Sequence, residues 1–376
     1  MPWETKTVMD QRALFVEEAA ESQNFSALCR QYGISRKTGY KWLQRAQAGE
    51  NLDDQSRRPK HPASRTAPEI ENKILAVRQE NPSWGGRTIK SVLEAQGEEQ
   101  IPSARTCNAI LKRNGCISPE ESQKHQPYQR FERAACNQLW QTDFKGDFLL
   151  ADNTRCFPLD ILDDHSRFCI RTEPKYAATG VKETFLQAFE EYGLPDAILS
   201  DNGAQFSGFR GGYTQFERWL MDLDILPIHG RIMHPQTQGK IERFHRTMKQ
   251  ELLCTPMENM ADAEKKFAMW RWKYNHVRPH SALGMKTPAQ VYTPSERKLF
   301  IPKPYEYESS NVRKVNSWGY LRFGPIQVYL SGTMADTYLE IRNGQENTFL
   351  VCYRNFQIAI IDATTGTLIN RIIRKL

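Results

Sequence analysis

The spacing of apolar residues changes twice along this 376-residue chain, which excludes a fold built from one kind of element. Up to about residue 113 the apolar positions recur at helical intervals, in short pieces. Residues 9 to 21 carry Met9, Leu14, Phe15, Val16 and Ala19 among many acids, and Phe25 to Tyr32 is a short amphipathic stretch. Gly33-Ile34-Ser35 then makes a tight turn, with Ser35 placed to cap the basic stretch Arg36 to Leu43. A short helix, a glycine turn and a basic helix with apolar residues beneath form the helix-turn-helix pattern, which a plain helical hairpin shares. Residues 50 to 68 carry three prolines and five basic residues, His61 included, and read as an extended arm. Three more helices are expected at Glu69 to Glu80, Trp84 to Leu93 and within Ile101 to Arg113, the last opening on a serine cap. Two such units in tandem point to a long, bipartite DNA site.

After a polar stretch at 118 to 130 the texture turns to strands: Leu139 to Phe144, Phe148 to Leu150, Cys156 to Leu162 and Arg167 to Thr172. A helix at 179 to 193, a strand at Ala197 to Ser200, a helix near 214 to 222, a short strand at Leu226 to Ile228 and a basic helix from about 239 to 253 follow. That order describes an α/β core with a mixed sheet. The last seventy residues hold short strands alone, turning at Asn343-Gly344 and Thr365-Gly366, and read as a small all-β barrel or sandwich. The expected domains are 1–49, a basic linker 50–68, a second helix-turn-helix unit 69–122, the core 130–295 and a β domain 305–376.

Charge and cysteines narrow the class. The net charge of +7 permits a polyanionic partner. The eight cysteines are scattered and never fall as Cys-x-x-Cys, which argues for reduced thiols in a cytosolic protein. No apolar run is long enough to span a bilayer, and the first residues hold no secretory signal. His276 and His280 are four apart, but Pro279 argues against a metal site on a regular helix, leaving surface or DNA-facing histidines.

Three carboxylates fall in places that matter. Asp143 lies in the first strand of the core, Asp201 follows the strand Ala197 to Ser200, and Glu242 lies in the first turn of the basic helix. Asp201-Asn202-Gly203 is also an ordinary turn sequence, so on its own it proves nothing. Hard oxygen ligands of this kind suit Mg²⁺, and two such ions about 3.5–4 Å apart can drive phosphodiester displacement.

Leu139-Trp-Gln-Thr-Asp-Phe-Lys-Gly146, Leu162-Asp-Asp-His-Ser-Arg167, Leu199-Ser-Asp-Asn-Gly203 and His234-Pro-Gln-Thr-Gln-Gly-Lys-Ile-Glu-Arg-Phe-His-Arg-Thr-Met-Lys249 together resemble bacterial insertion-sequence transposases with a retroviral-integrase core. Trp84-Gly-Gly-Arg87 and Tyr274-Asn-His-Val-Arg-Pro-His-Ser-Ala-Leu-Gly284 share the resemblance, which spans roughly residues 20 to 295. It implies a ribonuclease-H-like fold with Asp143, Asp201 and Glu242 as catalytic metal ligands for two Mg²⁺ ions, with Mn²⁺ as a substitute. It implies double-stranded DNA as partner, both the element's terminal inverted repeats and a target, a homo-oligomer of two or more chains, and a bacterial cytoplasmic, nucleoid-associated location. The DNA contacts expected are Arg36, Lys37, Tyr40 and Lys41 on the first reading helix, and Arg57, Arg58 and Lys60 on the arm. Arg87 and Arg105 are expected to contact DNA from the second unit, and His234, Lys240, His245, Arg246 and Lys249 from beside the core.

The departures from that pattern are informative. Asp201 and Glu242 are 41 positions apart, longer than this group usually shows, and Gly208-Phe-Arg-Gly-Gly212 is expected to form a flap or DNA-contacting loop. The zinc module of retroviral integrases is missing from the N-terminal part, and the C-terminal β domain matches only loosely. Asp160, Asp163 and Asp164 imitate a carboxylate cluster, although 163–166 reads better as a hairpin turn, with Arg167 holding it or touching a phosphate. Two rival functions share these features: a DNA-binding regulator that has lost its chemistry, and a metal-dependent nuclease without strand transfer.

Overall fold

The Ser35 side chain accepts a hydrogen bond from the Thr38 amide and starts the basic helix, which runs on to Gln47. The computed structural model describes residues 8–54, 66–117, 132–206, 208, 212–230 and 239–376. The basic arm with Arg57, Arg58 and Lys60, the polar stretch at 118–131, most of the 208–212 loop and the loop with His234 lie outside the described residues.

Two compact units, Met1–Thr66 and Ala67–Leu376, make up the chain. The first holds α1 (Val8–Glu21), α2 (Phe25–Gln31) and α3 (Arg36–Gln47), around Phe15, Leu28, Cys29 and Trp42. Gly33 takes a left-handed φ of +66°, and the Ile34 amide reaches back to the Cys29 carbonyl, closing α2 as glycine-ended helices do.

The second unit begins with α4 (Pro68–Glu80), α5 (Gly86–Ala95) and α6 (Ala104–Arg113), which share a core of Ile74, Trp84, Ile89, Leu93, Cys107 and Ile110. A Cβ on Gly86 would lie 2.7 Å from the Ala104 carbonyl oxygen and 2.8 Å from the Asn108 amide nitrogen, so α5 and α6 meet where only glycine fits. Gly86→Ala gains helix propensity but must push two backbones apart, for a net loss of about 1–3 kcal/mol. Thermal unfolding of the full chain checks this: an unchanged Tm would show that α6 gives way freely.

A mixed sheet of β1 (Trp140–Phe144), β2 (Phe148–Leu149), β3 (Arg155–Asp163), β4 (Cys169–Lys175), β5 (Ala197–Ser200) and β6 (Leu226–His229) follows. Its order is β2-β3-β1-β5-β6, with β4 also on β3. Strands β1, β5 and β6 run parallel, while β2, β3 and β4 pair antiparallel. Pro227 is tolerated because β6 is an edge strand. The third antiparallel strand starts at Cys169 rather than Arg167, because Arg167 has a left-handed φ of +61° and closes the turn. Its guanidinium holds that turn, donating to the His165 carbonyl and pairing with Glu132 at 3.2 Å.

Helices cover both faces of the sheet. Helices α7 (Val181–Tyr192) and α8 (Gln215–Asp222) pack Phe185, Phe189, Phe216 and Leu220 against Leu159, Ile161 and Ile198. On the other face α9 (Gly239–Glu251) and α10 (Met260–His276) bring Phe244, Met248, Phe267, Trp270 and Tyr274 onto Cys156, Leu162 and Cys169. The alternation along β3 sorts these residues: Leu159 and Ile161 face α7, whereas Cys156, Asp160 and Leu162 share the parity that faces α9.

The C-terminal part is all antiparallel. Strands β7 (Val312–Lys314), β10 (Tyr338–Asn343), β11 (Thr348–Tyr353), β12 (Phe356–Asp362), β13 (Leu368–Asn370) and β14 (Arg374–Lys375) form one sheet. Strands β8 (Tyr320–Phe323) and β9 (Ile326–Tyr329) form a separate hairpin beside it. Their common core includes Tyr213 and Met221 from the α/β part, and Tyr353 and Arg354 both bond Asp222. The Tyr213 hydroxyl donates to the Ile358 carbonyl. Tyr213, directly after the 208–212 segment, therefore anchors the β domain.

All eight cysteines are free thiols. Among the described residues no helix is long and apolar enough to cross a membrane.

Candidate active site

Strand order carries the first two carboxylates to one sheet edge. Trp140 pairs with Ile198 and Gln141 with Leu199, so the same parallel register carried forward from Trp140 by three residues sets Asp143 beside Asp201. Asp143 is mostly buried, and burial pushes its carboxyl up to about 6, with Asp201 and Asp160 adding to the shift and His245 opposing it.

Asp201 does form a turn. Its Oδ1 accepts from the Gly203 amide at 3.0 Å, and Asn202 donates to the Gly230 carbonyl at 3.1 Å. A Cβ on Gly203 would lie 2.9 Å from that same oxygen, so glycine is needed to let the carboxylate stand there. Behind it, His229 Nε2 lies 2.8 Å from Glu217 and Nδ1 lies 3.4 Å from the Asp201 carbonyl. Burial pulls the His229 imidazole down, but the Glu217 carboxylate overcomes this and holds it above its ordinary value. Glu217 itself completes the capping box of α8 with Thr214. A helix N-terminus, a histidine and the Asp201 turn are thus locked together.

Helix α9 crosses behind β1 with Ile241, Phe244, His245 and Met248 buried, while Glu242 in its first turn is exposed. This corrects the expectation that His245 joins Arg246 and Lys249 on an outward basic face. His245 is three, four and three positions from Glu242, Ile241 and Met248, and helical rotation turns it inward with the apolar pair. Its Nε2 lies 2.9 Å from Asp160 Oδ2, and its Nδ1 lies 3.8 Å from Asp143 Oδ2. Asp160 is wholly buried, and its Oδ1 has no hydrogen-bond partner among the described residues.

Other expected contacts divide in two. Lys240 is held inside the fold: its ammonium lies 2.5 Å from the buried Asp164 carboxylate, and burial lowers its pKa. Asp163 is also structural, accepting from the amides of Asn137 and Ser166 and from the Ser166 hydroxyl. Arg246 and Lys249 are exposed on α9, and Arg36, Lys37, Tyr40 and Lys41 are exposed on α3. Arg87 and Arg105 are exposed in the first turns of α5 and α6. His276 is exposed, but His280 is not a surface histidine: burial, with Arg278, Arg167 and Arg243 nearby, lowers it to about 3.

The donor set at the sheet edge suits a hard divalent cation. Asp143 and Asp201 offer carboxylate oxygens close enough for the Asp201 charge to penalise ionisation of Asp143. Among the described residues no three His, Cys, Asp or Glu side chains gather tightly enough to hold a metal, so Glu242 stands outside the pair. Sequence reasoning named Asp160 only as part of an imitation carboxylate cluster and missed His229 and Glu217 as neighbours of the site; the parity of Asp160 with Cys156 and Leu162 was the available signal for its place.

Residues 133–235 and 223–288 match models of the integrase core domain, 11–60 a helix-turn-helix domain and 38–111 a homeodomain-like domain. The chain is 31% identical over 157 residues to an uncharacterized 39.2 kDa protein of insertion element IS476 from Xanthomonas euvesicatoria, covering 41% of this chain and 44% of that one. It thus spans less than half the length of that relative. It is 28% identical over 239 residues to the transposase InsD of IS2 elements in Escherichia coli, covering 58% of this chain and 76% of the relative. The catalytic core of HTLV-2 integrase, solved in complex with magnesium, is 22% identical with a TM-score of 0.32, covering 42% of this chain and 97% of that one.

Proposed function

We propose that this chain, which matches helix-turn-helix and integrase core domains and resembles insertion-element proteins, is a DNA transposase. In this reading it binds the terminal inverted repeats of its own element in the bacterial cytoplasm, close to the nucleoid. It cleaves a phosphodiester to expose a 3′-hydroxyl and joins that hydroxyl to target DNA. The observation that carries the reading is the juxtaposition of Asp143 and Asp201 at one sheet edge, with α9, the helix that carries Glu242, reaching Asp143 through His245.

Asp143, Asp201 and Glu242 are the residues that would hold Mg²⁺. A bound pair of such ions would activate the attacking oxygen and stabilise the leaving one. The chain's own part is to aim the ligands. The Gly203 amide fixes one oxygen of Asp201, His245 sits beside Asp143, and Glu242 stands exposed in the first turn of α9. Because two element ends must be joined, a dimer or larger assembly on DNA belongs to the reading. Labelled element-end DNA, Mg²⁺ and a plasmid target test it: joined products are expected. Binding without cutting would favour the regulator, and cutting without joining would favour the nuclease.

The raised pKa of Asp143 gives a pH signature. Between its ordinary value of 3.8 and about 6 the folded chain holds the proton more tightly than the unfolded one. Stability from this group therefore falls as pH rises through that window, and the full cost stands above it. A cation that binds the ionised carboxylate reverses the cost. Mg²⁺ should raise Tm at about pH 7.5 and barely at about pH 5. An equal rise at both would remove Asp143 from the ligand set.

Lys249 stands on α9 two turns beyond Glu242, exposed, where retroviral integrases use a lysine on the element's terminal nucleotides. A phosphate contact contributes about one unit to the salt slope of DNA binding. Lys249→Glu should impair joining more than Lys249→Ala, and both should flatten the slope by that amount. Normal joining with an unchanged slope would return this face to solvent.

A further inference from the structure

Glu251, the last residue of α9, takes hydrogen bonds from three separate segments. Its Oε1 accepts from Ser83 Oγ at 2.8 Å, Trp84 Nε1 at 3.1 Å and Arg278 Nε at 2.9 Å. Its Oε2 accepts from Trp270 Nε1 at 3.4 Å. The side chain is 11% exposed and Trp84 is buried, so water is a poor substitute for these partners. Ser83 and Trp84 lead into α5, Trp270 lies on α10, and Arg278 follows α10. Val277 packs against the core of α4–α6, and the Lys273 ammonium lies 5.4 Å over the Trp84 ring.

The Trp84-Gly-Gly-Arg87 stretch therefore divides its work. Trp84 docks on α9 and α10, Gly86 admits α6, and Arg87 projects outward. At the other end of the same lever, Glu251 and Glu242 are nine positions apart on one helix, about 14 Å along its axis. An unbroken helix of that length passes on position with little slack.

We infer that Glu251 is a positioning residue whose carboxylate holds the α4–α6 unit in fixed register with the helix that carries Glu242. The inference rests on the transposase reading and deepens it: DNA held at Arg87 and Arg105 is presented to the carboxylates at one set phosphate. Glu251 takes no part in the chemistry. Its effect is on where the strand is cut.

Two variants of the full chain test this. Glu251→Gln keeps an acceptor for Ser83 and Trp84 but loses the charge facing Arg278, and Trp84→Phe keeps the aromatic packing but loses one donor. Hydrogen exchange of the α5 and α6 amides reads the docking without catalysis, and mapping the cut phosphates on element-end DNA reads the register. In both variants exchange across α5 and α6 should quicken, and cuts at the wild-type phosphate should fall about tenfold relative to neighbouring positions, with end binding kept. Faster exchange supports the clasp even if the wild-type chain cuts nothing, an outcome that would sink the transposase reading alone. Unchanged exchange overturns the clasp, and a slower reaction still confined to one phosphate overturns its role in register.

Discussion

Replacing Asp143, Asp201 or Glu242 by its amide, one at a time, is expected to lower both end cleavage and end joining by about a thousandfold or more, with specific end binding largely kept. The amide removes a charged ligand and almost no volume. Of the three, Asp143 is the residue whose change should also alter stability. Its ionised form is penalised by burial and by Asp201 and Asp160, so Asp143→Asn should make the metal-free chain more stable above about pH 6. A catalytic loss paired with a gain in Tm would be hard to explain by misfolding. Glu242 is exposed in the first turn of α9, so Glu242→Gln should leave Tm unchanged. Ca²⁺, with its larger and looser shell, should support binding but not joining. Any single amide variant that joins ends at a near wild-type rate is not a ligand.

Removing residues 1–66 should have the second largest effect, on recognition. The boundary follows the compact units: α4–α6 stay with the core because Ser83 and Trp84 bond Glu251. A cut near residue 122 would instead tear those contacts. The chain 67–376 should fold, keep non-specific binding and lose about 10²- to 10³-fold in its preference for element ends over random DNA. Some preference should persist, since Arg87 and Arg105 remain. Competition binding at fixed salt measures this. Full discrimination by 67–376 would take end recognition away from α3 and its exposed Arg36, Lys37, Tyr40 and Lys41.

Much of the scaffold was legible because it depends on local signals. The serine caps at 35 and 103, the glycine turn at 33 and the short apolar runs of β1 and β5 are each set by neighbours in sequence. Asp143 and Asp201 followed from the strands that carry them. The rest depends on rotation and distance. Whether His245 faces in or out is decided by how α9 sits on β3, and Lys240 meets Asp164 from 76 positions away. Helix α10 was not foreseen, although Asn259 caps it and Met260, Ala263, Phe267, Trp270 and Tyr274 repeat at three and four. Exposed Met269 and Trp272 blur that stripe. The docking of the β domain on Tyr213 and Asp222 had no sequence signal at all, since it joins segments more than a hundred residues apart.

The central claim is that one site, built on Asp143, Asp201 and Glu242, performs the joining step itself. The most direct measurement supplies element-end DNA already cut to a 3′-hydroxyl, so that hydrolysis is bypassed, and sequences the junctions formed with a plasmid in Mg²⁺. The wild-type chain should join these ends, and Asp201→Asn, bound to the same DNA, should give no junctions. Junctions formed equally well by Asp201→Asn would contradict the account.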